Sequence, residues 1–264
     1  MKNITDTIHI ENIIEIAQCA GELILQVYDQ HHEITYKEDA SPVTIADKIA
    51  DDYIITRLKE ISPHIPFITE ETQLTPYEIR KQWEQCWLID PLDGTKEFIK
   101  RNGEFTVNIA FIEEGMPTLG VVHAPALNVT YFGKKGIGSY KRNKCGEDVP
   151  IQNNTHYRQK THIRVVASRS HVCEETLQFI NRLADEGKIT EMVNRGSSLK
   201  ICMVAEGLAD VYPRFGITME WDTAAAHAVA LFAGCDVVSA KDNHPLTYNK
   251  PDLRNPPFIV AKFT

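Results

Sequence analysis

Basic residues are in the minority in this chain. Lys and Arg number 28 against 36 Asp and Glu, a formal net charge of −8. Such a balance is a poor fit to a polynucleotide backbone, which is gripped by cationic side chains that displace condensed counterions. A small anion stays within reach if bound metal ions reverse the local field. Cysteine pairs at redox or zinc spacing are missing as well. Cys19, Cys86, Cys145, Cys173, Cys202 and Cys235 are separated by long gaps with no C-x-x-C. That argues against a zinc ribbon or a dithiol motif and predicts reduced thiols, mostly in the core. No stretch approaches the ~20 apolar residues of a membrane span. Residues 1–30, MKNITDTIHIENIIEIAQCAGELILQVYDQ, carry Asp6, Glu11 and Glu15, which rules out the apolar region of a signal peptide. The expected compartment is the reducing cytoplasm. Repeats and low-complexity runs are absent too, and 264 residues suit one large domain or two lobes sharing a core.

What is present is a change of pattern along the chain. Apolar residues at helical spacing (Ile10, Ile13, Ile14, Ala17, Leu23, Ile24, Val27) predict an amphipathic helix from about Ile8 to Gln30. Thr44, with Asp47 three residues on, resembles a capping box that opens a second helix. PFITEE and QCWLIDP read as short buried strands that end in acids, and FTVNIAFIEEGMPTLGVVHAP as a hairpin around Glu114-Gly115. VTYFGKKGIGSYKR continues with Gly-punctuated strands, its basic run decorating a hairpin. Residues 143–161 are polar and turn-rich, the best candidate for a junction. Beyond it, strands alternate with helices at about 170–185, 197–207 and 222–233. The expected fold class is therefore α/β: an α+β N-terminal half, residues 1–150, and an α/β C-terminal half, residues 151–264.

The segment WLIDPLDGTKEF, residues 87–98, raises the question of chemistry. Phosphatases that attack phosphorus with an aspartate use D-x-D, whose spacing of two puts both carboxylates on one face of an extended chain. Asp90 and Asp93 are three apart with Pro91 between them. In a regular strand they would face opposite ways, so a turn, favoured by Pro91 and Gly94, must bring them together. Converging carboxylates suit hard cations, which take oxygen ligands. Further acids stand at similar positions: Glu70 and Glu71 after PFIT, and Asp222 after Trp221. Gly94-Thr95 then opens a short helix whose N–H groups suit a phosphate oxygen.

ITEE, WLIDPLDGTKEF and EWDTAAAHAV resemble, in order over nearly the whole chain, the three signature segments of the metal-dependent, lithium-sensitive inositol monophosphatase superfamily. Within it, VASRSH, GSSLKICMVAEGLADVYPRF and EWDTAAAHAV most resemble the bacterial 3′(2′),5′-bisphosphate nucleotidases. The resemblance implies a layered αβαβα fold and removal of the 3′-phosphate of adenosine 3′,5′-bisphosphate, a by-product of sulfate assimilation, to leave AMP. The 5′-phosphosulfate analogue is a further implied substrate. It also implies two or three Mg²⁺ ions: Glu70, Asp90 and the Leu92 carbonyl around one, and Asp90, Asp93 and Asp222 around a second. Thr95 and Asp47 would orient and deprotonate the attacking water. Leu92, Asp93, Gly94 and Thr95 would contact the scissile phosphate, with Glu70 and Asp222 beside it. Ser170, His171, Ser197, Lys200 and Arg214 would contact the rest of the nucleotide. Two departures stand out: Thr69 in place of the usual Gly or Ser before the paired glutamates, and Ala226 in place of the Gly that commonly follows W-D-x-A-A.

Each residue also has a plainer reading. Asp222 and Asp47 alone would be helix caps, Glu70 and Glu71 surface acids, and Asp90-Pro-Leu-Asp-Gly a turn. Their joint occurrence outweighs these. His227 and His123 read as packing or surface residues, and Lys37, Glu38 and Asp39 as a charged loop near a third ion. The competing activity is an inositol 1-phosphate or sugar-phosphate phosphatase on the same fold. A nucleotide-binding protein without turnover is disfavoured because no ligand or catalytic position is lost. The resemblance allows peripheral attachment to the inner membrane, but no amphipathic anchor is legible.

Overall fold

Helical apolar spacing becomes a buried stripe in the first element, α1 (Ile10–Tyr28), where Ile13, Ile14, Ala17, Ala20, Ile24 and Val27 face inward. The computed structural model describes residues 8–29, 35–36, 42–43, 45–167 and 173–263. Thr44, Ser170, His171 and the segment Lys37–Asp39, all singled out above, lie outside the described residues. In chain order the elements are β1 (Thr35–Tyr36), β2 (Pro42–Val43), α2 (Ile45–Ile61), β3 (Phe67–Thr69), α3 (Tyr77–Arg80), β4 (Gln85–Asp93) and α4 (Thr95–Ile99). Then come β5 (Thr106–Glu113), β6 (Met116–Ala124), β7 (Val129–Lys134), β8 (Gly138–Arg142), β9 (Asp148–Pro150) and β10 (His162–Ala167). The chain continues with α5 (Glu174–Asp185), β11 (Ile189–Asn194), α6 (Leu199–Ala205), β12 (Val211–Arg214), α7 (Glu220–Phe232), β13 (Asp236–Ser239) and β14 (Phe258–Ala261).

Among the described residues the strands form a two-stranded ribbon and two larger sheets. The sheet of seven runs β3-β4-β5-β6-β7-β8-β9, antiparallel except for the parallel pair β3–β4. The sheet of five runs β11-β10-β12-β14-β13, with β10 parallel to both β11 and β12. The hairpin at Glu114-Gly115 forms as expected. Both residues sit at positive φ, 49° and 74°, the left-handed pair that matches the twist of the flanking strands. The segment expected as a junction, 143–161, holds β9, the edge strand of the seven-stranded sheet.

Period-two alternation sorts β4 onto two cores. Trp87 and Ile89 face α1 and α2, among Ile13, Ile24, Ile54 and Leu58. Cys86 and Leu88 face the other way, toward α6 and α7. Those helices fill the space between the two sheets, sharing one buried cluster with Val122 and Tyr131 on one side and Tyr212, Phe258 and Val260 on the other. The helix α5 covers the outer face of the five-stranded sheet through Phe179 and Leu183 against Ile163 and Val165. The layers are therefore αβαβα.

The alanine run of α7 has a steric reason. A Cβ on Gly120 of β6 would lie 2.2 Å from the Ala225 carbonyl, and one on Gly133 of β7 would lie 3.0 Å from the Ala228 carbonyl. These glycines are cross-strand partners, so the helix backbone rests almost on the sheet. Ala226, where the resemblance led us to expect glycine, is wholly buried in the same layer. The close approach carries the first turn of α7, and Asp222 with it, to the C-terminal end of β4.

Candidate active site

Two carboxylates reach one cavity because β4 is irregular. Its register against β5 passes from Asp90↔Asn108 directly to Asp93↔Thr106, three steps on one strand against two on the other. The extra residue is a β-bulge, which reverses the facing of everything beyond it. The turn expected between Asp90 and Asp93 is thus a bulge inside a continuing strand. Pro91 explains part of it, since it cannot donate to a ladder. Leu92 N–H donates instead to Asp90 Oδ1 at 3.1 Å, and neither Pro91 nor Leu92 is paired with a residue of β5. Gly94 follows at φ 93°, a left-handed conformation that glycine adopts without strain, and leads into α4.

The consequence is a cavity of about 410 Å³ lined by Asp47, Glu70, Asp90, Leu92, Asp93, Gly94, Thr95 and Asp222, with Lys96, Glu97 and Ile217 at its sides. Asp47 comes from the first turn of α2, Glu70 follows β3, and Asp222 is in the first turn of α7. All five expected metal-site residues and both expected catalytic residues therefore share one wall. A second cleft of about 160 Å³ adjoins it, sharing Asp93, Gly94, Lys96, Glu97 and Asp222 and adding Ser197, Ser198, Lys200, Tyr212 and Arg214. Its residues come mostly from the C-terminal half, where the nucleotide contacts were expected.

Burial of several carboxylates side by side dominates the electrostatics. Burial pushes the Asp90 carboxyl well above the usual carboxylate range, and the charges of Glu70, Asp93, Asp222 and Asp47 add to it. Burial, then the charge of Asp93, pushes Asp222 up to about 8, although the Met219 N–H opposes the rise. Asp222 Oδ2 accepts that N–H at 2.9 Å; the N-cap is Met219 and Asp222 the third helical residue, so the aspartate closes a capping box from inside the helix, which occupies one oxygen. Asp93 Oδ2 accepts the Ser197 hydroxyl at 2.5 Å and the Ser198 N–H at 2.6 Å. Each of these three aspartates commits one oxygen to protein donors. Among the described residues the other oxygen accepts no hydrogen bond from the protein.

This donor set fits hard divalent cations. It is all oxygen, it is anionic, and its protonated forms are stabilised only by burial and mutual repulsion, which a cation would relieve. Among the described residues no three His, Cys, Asp or Glu side chains are drawn into a finished metal cage.

The inositol monophosphatase family model matches residues 8–262. The chain belongs to the inositol monophosphatase family. That family is metal-dependent, in keeping with the oxygen-rich wall of this member. The chain is 46% identical over 230 residues to the 3′(2′),5′-bisphosphate nucleotidase CysQ of Salmonella typhimurium, covering 86% of this chain and 89% of that protein. It is 44% identical over 255 residues to the enzyme of the same name from Escherichia coli K12, covering 96% of this chain and 99% of the relative. Among solved structures it is similar to CysQ from Bacteroides thetaiotaomicron, a bacterial inositol monophosphatase family member, with a TM-score of 0.86, 42% identity, and 96% and 97% of the two chains covered. An inositol monophosphatase from Thermotoga maritima, 24% identical with a TM-score of 0.75 over 94% of this chain and 90% of that one, shares the fold.

In this family member Lys200 is buried, its Nζ donating to the Ser197 carbonyl at 2.6 Å and lying 5.8 Å from the Tyr212 ring centroid. Burial pulls its ammonium down to about 8, with Asp93 opposing. Arg214 donates through Nη2 to the Ile217 carbonyl at 3.1 Å, and among the described residues its buried Nε has no partner. Ser197 lines the adjoining cleft, but its hydroxyl is engaged with Asp93 and with Thr106 Oγ1 at 2.5 Å. Of the two readings of His227 and His123, packing or surface, the structure shows packing: both are buried, bonded to the Tyr248 hydroxyl at 2.8 Å and the Thr130 hydroxyl at 2.9 Å. Several residues at the site escaped sequence reasoning. Ser198, Thr106 and Asn108 lie on the apolar side of strands or in a serine pair, where nothing marks them. Asp51 is buried one turn after Asp47 and accepts the Thr69 hydroxyl at 2.6 Å, a pairing that the unusual Thr69 could have signalled.

Proposed function

We propose that this chain is a Mg²⁺-dependent 3′(2′),5′-bisphosphate nucleotidase that removes the 3′-phosphate of adenosine 3′,5′-bisphosphate to give AMP and phosphate, and also takes its 5′-phosphosulfate analogue. The observation that carries the reading is the joining of two clefts: a wall of carboxylates from four separate segments, and beside it a cleft holding Lys200 and Arg214. A monoester at the acidic wall leaves its second phosphate within a cationic neighbourhood. The names of the relatives at 44–46% identity support the same substrate.

In this reading Glu70, Asp90, Asp93, Asp222 and the Leu92 carbonyl would hold two Mg²⁺ ions, with a third more loosely held. When bound, those ions neutralise charge on the transferring phosphoryl group and polarise its oxygens. The backbone from Leu92 to Thr95 seats the scissile phosphate. Thr95 orients a water for in-line attack, and Asp47, at the start of α2, accepts its proton. Lys200 and Arg214, with Ser170 and His171, hold the rest of the nucleotide. The division of labour follows the two halves: residues 1–150 carry most of the acids, and residues 151–264 carry the nucleotide contacts and Asp222. The proposed compartment is the cytoplasm, in line with six unpaired thiols. Among the described residues no helix is long and apolar enough to cross a membrane.

The test is phosphate release from adenosine 3′,5′-bisphosphate and from inositol 1-phosphate in Mg²⁺, compared as kcat/KM. A preference for the nucleotide is expected. Equal or reversed values would transfer the assignment to an inositol or sugar phosphatase.

A further inference from the structure

We infer that Arg195–Ser198 form a clamp that sets the orientation of Asp93, and that Ser197 is a positioning residue which acts through Asp93 rather than on the nucleotide. The inference rests on the proposed cation role of Asp93. Its first support is the saturation of one oxygen: Asp93 Oδ2 accepts both the Ser197 hydroxyl (2.5 Å) and the Ser198 N–H (2.6 Å). Two donors on one oxygen fix the carboxylate plane of a residue that lines the acid cavity.

The second support is strain. Ser197 sits at φ 55°, a left-handed conformation that a residue with a Cβ adopts at a cost, and that persists only where its surroundings over-determine it. Here they do. Glu104, buried in the loop before β5, accepts the Gly196 N–H at 2.8 Å and Arg195 Nη1 at 3.1 Å. Thr106 Oγ1 reaches both serine hydroxyls, at 2.5 and 2.8 Å, and the Ser198 hydroxyl donates to Asn108 Oδ1 at 2.8 Å. Lys200 Nζ holds the Ser197 carbonyl at 2.6 Å. A Cβ at Gly196 would come within 2.8 Å of the Glu104 carbonyl, so the loop before β5 and the clamp are in close backbone contact. Every anchor except Lys200 comes from β5 or the loop before it, next to the bulge that carries Asp93. The clamp therefore ties an acid of the N-terminal half to the C-terminal half, and the hydroxyl of Ser197 is already occupied when a nucleotide arrives.

Second partners of metal-holding side chains commonly govern affinity for the ion. The experiment is calorimetric titration of the full chain, freed of metal by chelator, with Mg²⁺ and separately with Mn²⁺, in the absence of substrate. Wild type is compared with Ser197→Ala, Ser197→Gly, Thr106→Val and Thr106→Ser, and the KM of each for adenosine 3′,5′-bisphosphate is measured at saturating Mg²⁺. Ser197→Ala and Thr106→Val are expected to weaken cation binding roughly 10- to 100-fold, with KM changed less than about two-fold. Thr106→Ser keeps the hydroxyl and is expected to retain wild-type affinity. Ser197→Gly relieves the backbone strain yet loses the hydroxyl, so it is expected to weaken binding as well, which assigns the effect to the hydroxyl. Wild-type cation affinity in Ser197→Ala together with a raised KM would overturn the inference and make Ser197 a substrate contact. Unchanged affinity and unchanged KM would overturn it in favour of a purely structural role. Failure of the wild-type chain to bind either cation would instead bring down the metal reading of the site, and the inference with it.

Discussion

Asp93 divides its carboxylate between two tasks, and its removal separates them. One oxygen ties together segments 104 residues apart in the chain, and the residue also lines the acid cavity. Asp93→Ala is expected to abolish turnover while the far-ultraviolet circular dichroism stays native, because most of the fold is held by the layers and not by this bond. Retained turnover would remove Asp93 from the site. Thr95→Ala is a gentler probe: loss of a positioned general-base partner is expected to lower kcat by roughly 10²- to 10⁴-fold with KM little changed, read from steady-state kinetics. At this scale the sequence was informative where chemistry is unusual. Asp90, Asp93, Gly94 and Thr95 stood out because that combination rarely occurs by chance. Thr106 and Asn108 stayed hidden because a polar residue in an apolar strand looks the same whether it packs against an outside face or bonds into a site.

At the scale of elements, the packing of α7 on the seven-stranded sheet is decided by absent side chains. Gly120→Ala would place a methyl 2.2 Å from the Ala225 carbonyl, so the helix must lift. The expected cost is about 1–3 kcal/mol of stability, measured by chemical denaturation, together with reduced activity as Asp222 moves with the helix. Stability equal to wild type would show that the layer relaxes freely. The same scale shows where sequence reading ran out on β4. Periodicity marked a strand and Pro91 marked an interruption, yet a turn and a bulge share that signature. The choice was made by β5, which continues to pair beyond the interruption at Asp93↔Thr106. Helix and strand positions elsewhere were legible because amphipathic stripes and hairpin glycines act over a few residues.

For the molecule as a whole, two sets of buried groups make stability depend on pH in opposite senses. His123 and His227 are held down to about 4 and about 3 by burial. The neutral ring is native, so the folded state binds fewer protons than the unfolded one below the ordinary histidine value near 6.5. Their contribution is fully present above that pH and falls by about 1.4 kcal/mol per pH unit for each ring as pH drops toward 3–4. Asp222, pushed up to about 8 by burial and by Asp93, and Asp90, raised likewise, act the other way: without metal their contribution is full at acid pH and is lost as pH rises through about 8. Mg²⁺ binds the deprotonated acids, so the rise in Tm on adding Mg²⁺ over chelator is expected to be larger at pH 9 than at pH 6 in thermal melts. An equal rise at both would argue that these carboxylates are not the ones the ion meets. The sequence by itself determined the α/β class, the order and type of most elements, the family, and the acids of the wall, because these depend on local periodicity and on a rare combination of residue types. Only the tertiary structure decided that a bulge aims Asp90 and Asp93 together, that glycines let α7 deliver Asp222, and that the Ser197 hydroxyl belongs to Asp93. Each of these depends on which distant backbone lies within 3 Å, and no short-range pattern in the chain records that.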